Sequence, residues 1–184
     1  LFASFVFIDT KAMVIGIDSN KAAIEFCQSK YSFSNLRFEE HTTDEIHFAD
    51  NSFNKVVLLE VIEHITKEQA FELLKKIQAL LKPGGLLVIS TPNKRSLWPI
   101  IEFLMDKLKL APKMNKDQHE ILYNRKELRK LAVASGLQPT KEKTILFFFS
   151  WMVIFNCKLG LYFHKIEIKC KARLGSLLLY TFQK

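Results

Sequence analysis

Cysteine is scarce in this sequence. The 184 residues include three cysteines, and none of them forms a Cys-x-x-Cys pair or stands at the spacing of a metal site. This excludes a disulfide-stapled secreted domain and predicts reduced thiols in an intracellular, cytoplasmic protein. Residues 1–8 are apolar, but they carry neither the basic flank nor the small-residue cleavage site of a secretory signal. Internal repeats and low-complexity linkers are lacking as well.

Long hydrophobic runs are also few. Residues 145–155 are rich in phenylalanine, but Asn156 and Lys158 interrupt the run, which is too short to span a bilayer. It predicts either a buried strand followed by a helix, or an interfacial patch next to the basic cluster 165–173 at anionic headgroups. We favour the core placement and keep peripheral membrane contact through 145–173 as the alternative. Residues 144–173 are therefore predicted to be an aromatic and basic insertion before the last strand.

The bulk composition is that of a globular domain. The hydrophobic fraction of 48% and the charged fraction of 25% suit a single domain over 1–184 with a full core. Lysine and arginine number 27 against 19 acidic residues, which gives a net charge of +8. This excess indicates either an anionic partner, such as nucleic acid, an acidic lipid surface or a phosphorylated substrate, or an ordinary basic surface. Nothing else in the sequence points to nucleic acid.

Apolar strands alternate with helical patterns along the chain. Residues 12–18 predict a strand buried on both faces, and Asp18-Ser19-Asn20 can cap the helix that follows at 21–30. Further predicted elements are strands at 36–40, 55–59, 86–91 and 175–182, and a helix at 125–135 closed by Gly136. This alternation predicts an α/β fold with a doubly wound sheet.

The clearest helix begins at Thr66. Thr66 and Gln69 form a capping-box pattern. Its apolar residues recur on one face: Ala70, Leu73, Leu74, Ile77, Leu80 and Leu81. Just before this helix, Glu60, Glu63 and His64 follow the apolar strand 55–59. Because ligands of open α/β sheets bind where strands end, these three residues are the candidate floor of a site.

Four motifs follow one another in a family-like order: Val14-Ile-Gly-Ile-Asp18, Asp50-Asn-Ser-Phe-Asn54, Glu60-Val-Ile-Glu-His64 and the stretch from Leu81-Lys-Pro-Gly-Gly to Pro-Asn93. Together they resemble a class I S-adenosylmethionine (SAM) methyltransferase, and most closely the group that includes the ubiquinone-biosynthesis methylases. The resemblance implies S-adenosyl-L-methionine as the cofactor. It also implies a Rossmann-like, mostly parallel sheet with an antiparallel last strand and the strand order 3-2-1-4-5-7-6.

The resemblance also implies cofactor-binding residues. Asp18 and Ser19 stand where the family binds the SAM ribose, and a carboxylate there can accept bonds from both hydroxyls. Thr42 and Thr43 fall near the adenine, where Thr42 replaces the family's usual acidic residue. Glu60 and Val61 are implied to line the methionine end of the cofactor.

Three interpretations of Glu60, Glu63 and His64 stay open. In the first, which we favour, His64 faces the substrate as a general base, since imidazole titrates near neutral pH. In the second, Glu63 and His64 cap and solvate the next helix. In the third, Glu60, Glu63 and His64 join His119 around a divalent metal, a pattern similar to that of small-RNA 2′-O-methyltransferases. His119 is also a candidate catalytic residue, because it lies in a connection that closes over the substrate in the family.

One family motif is lacking. The Gly-rich turn after the family's first strand, which lets the backbone approach the cofactor, does not occur in this sequence. Counting back from Asp18 places Leu1 just after that turn. Residues 1–8 then correspond to the next helix, or they serve as a substitute strand. We favour a chain truncated before its glycine loop, with the first strand missing between the family's strands two and four.

The sequence thus predicts SAM-dependent methyl transfer to a small-molecule or lipid-like acceptor, with residues 94–124 as a lid over the substrate. One alternative is a metal-dependent RNA 2′-O-methyltransferase. Another, from a different class, is a non-catalytic Rossmann-like module or inactive fragment that binds a partner protein.

Overall fold

The computed structural model describes residues 12–96, 120–145 and 175–184, together with the single residues 107, 158 and 162. The chain divides into two compact units, Leu1–Phe48 and Ala49–Lys184. The predicted lid at 94–124 and the predicted insertion at 144–173 lie mostly outside the described residues. The proposed roles of residues 1–8 lie outside them too.

The first unit contains a parallel strand pair and a helix. Strand β1 (Val14–Asp18) pairs in parallel with β2 (Leu36–Glu40), with Asp18 opposite Glu40 at the carboxyl ends. Helix α1 (Lys21–Lys30) connects them, and the side chain of Asn20 caps it by accepting from the Ala23 N–H. A parallel pair needs such a crossover, because its two strands run in the same direction.

The burial of β1 differs from the prediction. The strand is half-buried at its start, and Ile17 is 37% exposed, so the expectation of a strand buried on both faces was wrong. The described part of this unit has one helix, α1, whose Ile24 forms a small core with Leu36 and Phe38. Within residues 12–48, this helix covers one face of the strand pair.

The second unit is built on a four-stranded sheet. It contains β3 (Phe53–Leu59), β4 (Leu81–Pro92), β5 (Gln138–Ile145) and β6 (Leu177–Gln183), in the order β3-β4-β6-β5. Strands β3 and β4 are parallel, whereas β6 runs antiparallel to both β4 and β5. Leu87 and Ile89 of β4 and Tyr180 and Phe182 of β6 are fully buried, so the core of this unit lies against its two central strands.

Among the described residues, helices α2 (Lys67–Leu80) and α3 (Arg125–Ala134) accompany this sheet. Helix α2 is capped by Thr66, and the predicted capping box with Gln69 is present. Its buried residues are those of the predicted apolar face, Ala70, Leu73, Leu74, Ile77 and Leu80; Leu81 begins β4 instead. Helix α3 ends before Gly136, whose φ of +87° confirms the predicted glycine end.

The strand order within each sheet matches the prediction. In the family's numbering, β2-β1 is the run 3-2, and β3-β4-β6-β5 is the run 4-5-7-6. The α/β class and the antiparallel last strand are therefore confirmed. The residues of β5 were not predicted to form a strand, although the family's strand order implies a strand 6 beside the last one. No helix among the described residues has both the length and the apolar character needed to cross a bilayer.

Candidate active site

The loop after β3 begins with a left-handed residue. Glu60 has a φ of +51°, a conformation that costs a residue with a side chain roughly 1–2 kcal/mol. Two hydrogen bonds hold it: the Ser90 hydroxyl donates to Glu60 Oε1 over 2.6 Å, and the Glu60 N–H donates to the Ser90 carbonyl over 3.1 Å. The carboxyl ends of the parallel strands β3 and β4 are thus tied together at a strained residue, and such strain clusters at functional sites.

Glu63 lies at the centre of this loop. It belongs to a short 3₁₀ helix, Ile62–His64, and is fully buried. The Thr91 hydroxyl of β4 donates to Glu63 Oε2 over 2.9 Å. Oε1, which is also buried, accepts no hydrogen bond from any described group. The interpretation that Glu63 solvates the next helix is therefore wrong, since the side chain is inside and Thr66 provides the cap.

The electrostatics of Glu63 follow from this burial. Burial raises the pKa of the Glu63 carboxyl above its usual range, because a low-dielectric surrounding disfavours the charge. Hydrogen bonds from its own backbone N–H and from Thr91, and then the nearby His64, act in the opposite direction on this pKa. The net result is a carboxyl group that is held in place but incompletely stabilised as an anion.

His64 is placed at the boundary between this interior and the solvent. Its side chain is 47% exposed, and its Nε2 lies 4.0 Å from Glu63 Oε1. Its backbone N–H donates to the Val61 carbonyl over 3.0 Å, which holds the short helix closed. An imidazole that is accessible on one side and faces a buried carboxylate on the other is suited to proton transfer.

Residues 121–123 join the ends of both strands. The Ile121 N–H donates to the Glu63 carbonyl over 3.1 Å, and the Lys94 N–H donates to the Tyr123 carbonyl over 2.9 Å. Asn93, at the end of β4, forms an isolated parallel bridge with Tyr123. Tyr123 is 2% exposed, and its hydroxyl has no hydrogen-bond partner among the described residues. Burial, followed by the charges of nearby glutamates, raises the pKa of Tyr123.

The other predicted residues lie in the first unit. Asp18 ends β1, is exposed, and accepts the Asn20 N–H over 2.9 Å, while Ser19 is the exposed residue that follows. Thr42 and Thr43 come after the end of β2, and the N–H of His41 donates to the Asp18 carbonyl over 3.2 Å. The predicted ribose and adenine residues therefore lie together at one end of the β1–β2 pair.

Thr42 has an acidic partner that the sequence had not suggested. Its hydroxyl donates to Glu45 Oε2 over 2.9 Å, and its N–H donates to the same oxygen over 3.2 Å. These two hydrogen bonds, the backbone one first, lower the pKa of Glu45. A carboxylate is thus fixed beside the position where Thr42 replaces the family's acidic residue.

The predicted site residues lie in two sets, one at the ends of β1 and β2 and one in the loop after β3. The structure also places residues near the second set that the sequence did not suggest. Glu60, Val61, Glu63 and His64 follow β3, whereas His119 lies outside the described residues. Across 12–96, 120–145 and 175–184, no three His, Cys, Asp or Glu side chains are grouped to hold a metal. The missed residues are Ser90, Thr91, Asn93 and Tyr123. The first two carry a signal in the sequence, because they are hydroxyls at the end of an apolar strand.

Comparisons with known proteins identify the family of this chain. A family model described as a methyltransferase domain matches residues 2–146. A ubiquinone biosynthesis O-methyltransferase of Dinoroseobacter shibae is 32% identical over 140 residues, which is 74% of this chain and 55% of that protein. The chain thus spans about half the length of this curated relative.

Solved structures show the same fold at low identity. A SAM-dependent methyltransferase from Mesorhizobium loti aligns with a TM-score of 0.69 and 14% identity, over 100% of this chain and 85% of that one. The cyclase SpnF aligns with a TM-score of 0.68 and 15% identity, over 99% of this chain and 69% of that one. Such likeness carries the fold and not the reaction. The extent of the family match, together with the strand order, shows that the chain belongs to the methyltransferase-domain family of class I SAM-dependent methyltransferases.

Proposed function

We propose that this protein transfers a methyl group from SAM to the hydroxyl group of a small, lipid-like aromatic acceptor. The observation that carries the proposal is the loop after β3, where Ser90 and Thr91 at the end of β4 donate to Glu60 and Glu63, and where His64 lies beside Glu63. Family membership supports SAM as the methyl donor, and the relative named for O-methylation in ubiquinone biosynthesis supports the acceptor class.

The residues of the first unit fit a nucleoside. Asp18 is an exposed carboxylate at a strand end, and a carboxylate has enough lone pairs to accept from ribose hydroxyls in addition to the Asn20 N–H. Thr42 already donates its hydroxyl proton to Glu45, so its oxygen is left to accept from an amino group such as that of adenine. Ser19 and Thr43 flank these two residues.

The residues of the second unit fit the reaction. SAM, when bound, supplies a methyl group on a positively charged sulfur, which leaves with the carbon–sulfur electron pair. Glu60 and Val61 line the loop at the methionine end. His64 takes the acceptor's proton as the O–H bond breaks, and the freed electron pair on oxygen forms the new bond to carbon. His119 is a second proposed site residue. The larger part of the rate comes from positioning the two reactants in line.

Calorimetric titration of the full-length protein with S-adenosylhomocysteine tests the cofactor assignment. The wild type should bind, and Asp18→Asn should weaken binding about tenfold or more, because charge-assisted hydrogen bonds are lost. Glu25→Gln, which removes an exposed carboxylate from α1, is the matched control and should bind as the wild type does. The proposal fails if the wild type does not bind, or if Asp18→Asn and Glu25→Gln are indistinguishable.

A chelator separates this function from the metal-dependent alternative. Methyl transfer should be unchanged in EDTA if His64 acts as a base. Loss of transfer in EDTA and its recovery with Mg²⁺ would instead support a metal held by Glu60, Glu63, His64 and His119, and an RNA acceptor would then be the one to assay.

We also propose that the protein is cytoplasmic and contacts membranes peripherally through 145–173. The support is the aromatic run followed by the basic cluster, and the described Tyr162 within this range is 61% exposed. Co-sedimentation with vesicles containing anionic phospholipid tests this. Binding that weakens with salt is expected, and a protein that stays in the supernatant at low salt would contradict it.

A further inference from the structure

A groove with a positively charged lining lies between helix α3 and the start of strand β5. It encloses about 550 Å³, a volume typical of sites for small ligands. Four of its residues are spaced so that they share one face of the helix, and all four are exposed. The lining consists of Lys126, Arg129, Lys130 and Val133 of the helix with Gln138 and Pro139 of the strand.

The strand side of this groove is irregular. The register of β5 against β6 shifts between Pro139 and Lys141, so Thr140 has no partner residue on β6. Its hydroxyl donates instead to the Thr181 carbonyl over 3.0 Å. An extra residue of this kind bends an edge strand locally, and Pro139 has no N–H to give to the ladder. The concave shape of the groove is therefore built into the strand.

The cations of the groove are incompletely neutralised. Glu142 Oε1 lies 3.7 Å from Arg129 Nε, and Glu142 Oε2 lies 3.5 Å from Arg125 Nη2, so two arginines share one carboxylate. The side chains of Lys126 and Lys130 form neither an ion pair nor a hydrogen bond with any described residue. The groove therefore carries an excess of positive charge.

Lys126 is also poorly placed for the stability of α3. The helix begins at Arg125, so Lys126 lies in its first turn, where the free backbone N–H groups disfavour positive side chains. Glu127 is the acidic residue of that turn, and its carboxylate is held by the Asn124 N–H over 2.9 Å. A cation is thus kept where helix stability alone favours an acid, which indicates a role in binding an anion.

The groove is separate from the loop after β3. Gln138 pairs with Gln183, which in turn pairs with Leu86 near the start of the β3–β4 register. The strand side of the groove is therefore at the opposite edge of the sheet from Glu60 and Ser90. None of the residues that line it is among those proposed to bind SAM or the acceptor.

We propose that this groove binds a phosphate monoester or pyrophosphate group through Lys126, Arg129 and Lys130. The two ammonium groups supply charge. Arg129 lies beyond hydrogen-bond distance of Glu142, so its planar guanidinium can donate to two phosphate oxygens. Val133, which is 42% exposed, and Pro139 are left for the apolar part of the ligand.

The lining favours a phosphate-bearing molecule over nucleic acid. The described lining contains no aromatic ring on which a base could stack. The same phosphate group can come from a soluble ester or from a lipid headgroup, and the two sources need separate probes. Binding here is independent of the methyl-transfer reaction.

Two probes measure the site on the full-length protein. Inorganic pyrophosphate, titrated calorimetrically in the presence of S-adenosylhomocysteine, represents the soluble source. Phosphatidylcholine vesicles that contain phosphatidic acid, used in co-sedimentation, represent the lipid source. The double variant Lys126→Gln/Lys130→Gln should weaken binding about 25-fold, because each lysine near an anionic phosphate contributes about a factor of five. Since both lysines are exposed, the variant should unfold at the same urea concentration as the wild type.

The strand offers a matched control. Lys141→Gln/Lys143→Gln also removes two exposed lysines. Both point away from α3, because Glu142 between them faces the helix and neighbouring residues of a strand alternate between its sides. This double variant should bind as the wild type does.

A third variant should strengthen binding. Glu142→Gln removes the carboxylate that competes for Arg129, so affinity should rise by up to about fivefold, the upper range for an exposed ion pair. Partial unfolding cannot produce such a gain.

The outcomes distinguish the source of the phosphate from the existence of the site. Pyrophosphate binding that Lys126→Gln/Lys130→Gln weakens supports the site with a soluble ligand, and vesicle binding that the same variant weakens supports it with a lipid headgroup. The proposal is overturned if neither probe binds at low salt, or if S-adenosylhomocysteine displaces pyrophosphate. Equal loss in the two double variants would also overturn it, because binding would then follow net charge alone. Methyl transfer enters none of these measurements, so its failure would leave their result unchanged.

Discussion

Replacing Thr91 by valine removes the donor to the buried Glu63 carboxyl without opening a cavity, because the two side chains have nearly the same volume. In the wild type the hydrogen bond is 2.9 Å long and fully buried. Hydrogen bonds to charged groups contribute about 1.5–3 kcal/mol to stability, against about 0.5–1.5 kcal/mol for neutral pairs. Thr91→Val should therefore lower the free energy of unfolding by about 1.5–3 kcal/mol at a pH where Glu63 is ionised, and by about 0.5–1.5 kcal/mol where it is neutral.

The cost should depend on pH in one direction. Burial raises the pKa of Glu63 in the folded state above its usual value of 4.5. Ionisation of Glu63 therefore lowers the stability of the folded protein as pH rises from 4.5 through the folded pKa. Without Thr91 the anion is held less well, so Thr91→Val should cost least below pH 4.5, where the carboxyl is neutral, and most above the folded pKa.

Urea denaturation followed by circular dichroism at several pH values measures this. Thr144→Val is the matched control, because Thr144 is also buried but accepts from the Gly175 N–H over 3.3 Å. Its cost of about 1 kcal/mol should be similar at every pH. The reasoning is refuted if folded Thr91→Val is within about 0.5 kcal/mol of the wild type across the whole pH series, or if its cost does not rise with pH.

Three further outcomes follow from the geometry. Gly85→Ala should lower the free energy of unfolding by about 2 kcal/mol or more in urea denaturation, because a Cβ would lie 2.8 Å from the Lys82 carbonyl; a neutral effect would contradict this contact. Glu63→Gln should gain stability relative to the wild type as pH rises above 4.5, because it cannot ionise; a constant difference across pH would count against a raised pKa. Ser90→Ala should lower kcat while costing only about 1 kcal/mol of unfolding free energy, because it frees the strained Glu60 from its 2.6 Å hydrogen bond; unchanged kcat would remove Glu60 from the site.

Local and periodic signals explain what the sequence predicted correctly. The capping box of Thr66 with Gln69 and the apolar face of α2 are short-range patterns, and the helix needs only one buried stripe to satisfy them. The signal from Gly136 is also local, because the chain takes a positive φ at Gly136 just after α3, and glycine favours that conformation. The positions of Asp18 and of Glu60 followed from their places at the ends of apolar strands.

Strand β5, whose residues were not predicted to form a strand, lacks such local signals. Strand β5 is an edge strand of the four-stranded sheet, with Pro139 near its start and two exposed lysines, Lys141 and Lys143, along it. An edge strand needs no continuous apolar run and tolerates proline, so its sequence resembles a polar loop. Its pairing with β6 is a long-range contact that no window of the sequence contains.

The site was predictable in position but not in its internal contacts. Glu60, Glu63 and His64 could be placed at a strand end, but the burial of Glu63 depends on Thr91 and Ile121, which lie far along the chain. Tyr123 carries no pattern that marks it as buried beside this loop. Such side-chain arrangements arise from tertiary packing, and single-sequence periodicity does not encode them.

The central claim is methyl transfer to a hydroxyl at the loop after β3. The most direct test is transfer of radiolabelled methyl from SAM to a series of phenols with lengthening alkyl tails, by the full-length wild type and by His64→Ala. The wild type should form the methyl ether, and His64→Ala should lower kcat about 10²–10⁴-fold while S-adenosylhomocysteine still binds. A wild type that binds SAM but forms no ether with any of these phenols, or a His64→Ala variant that turns over as fast as the wild type, would contradict the account.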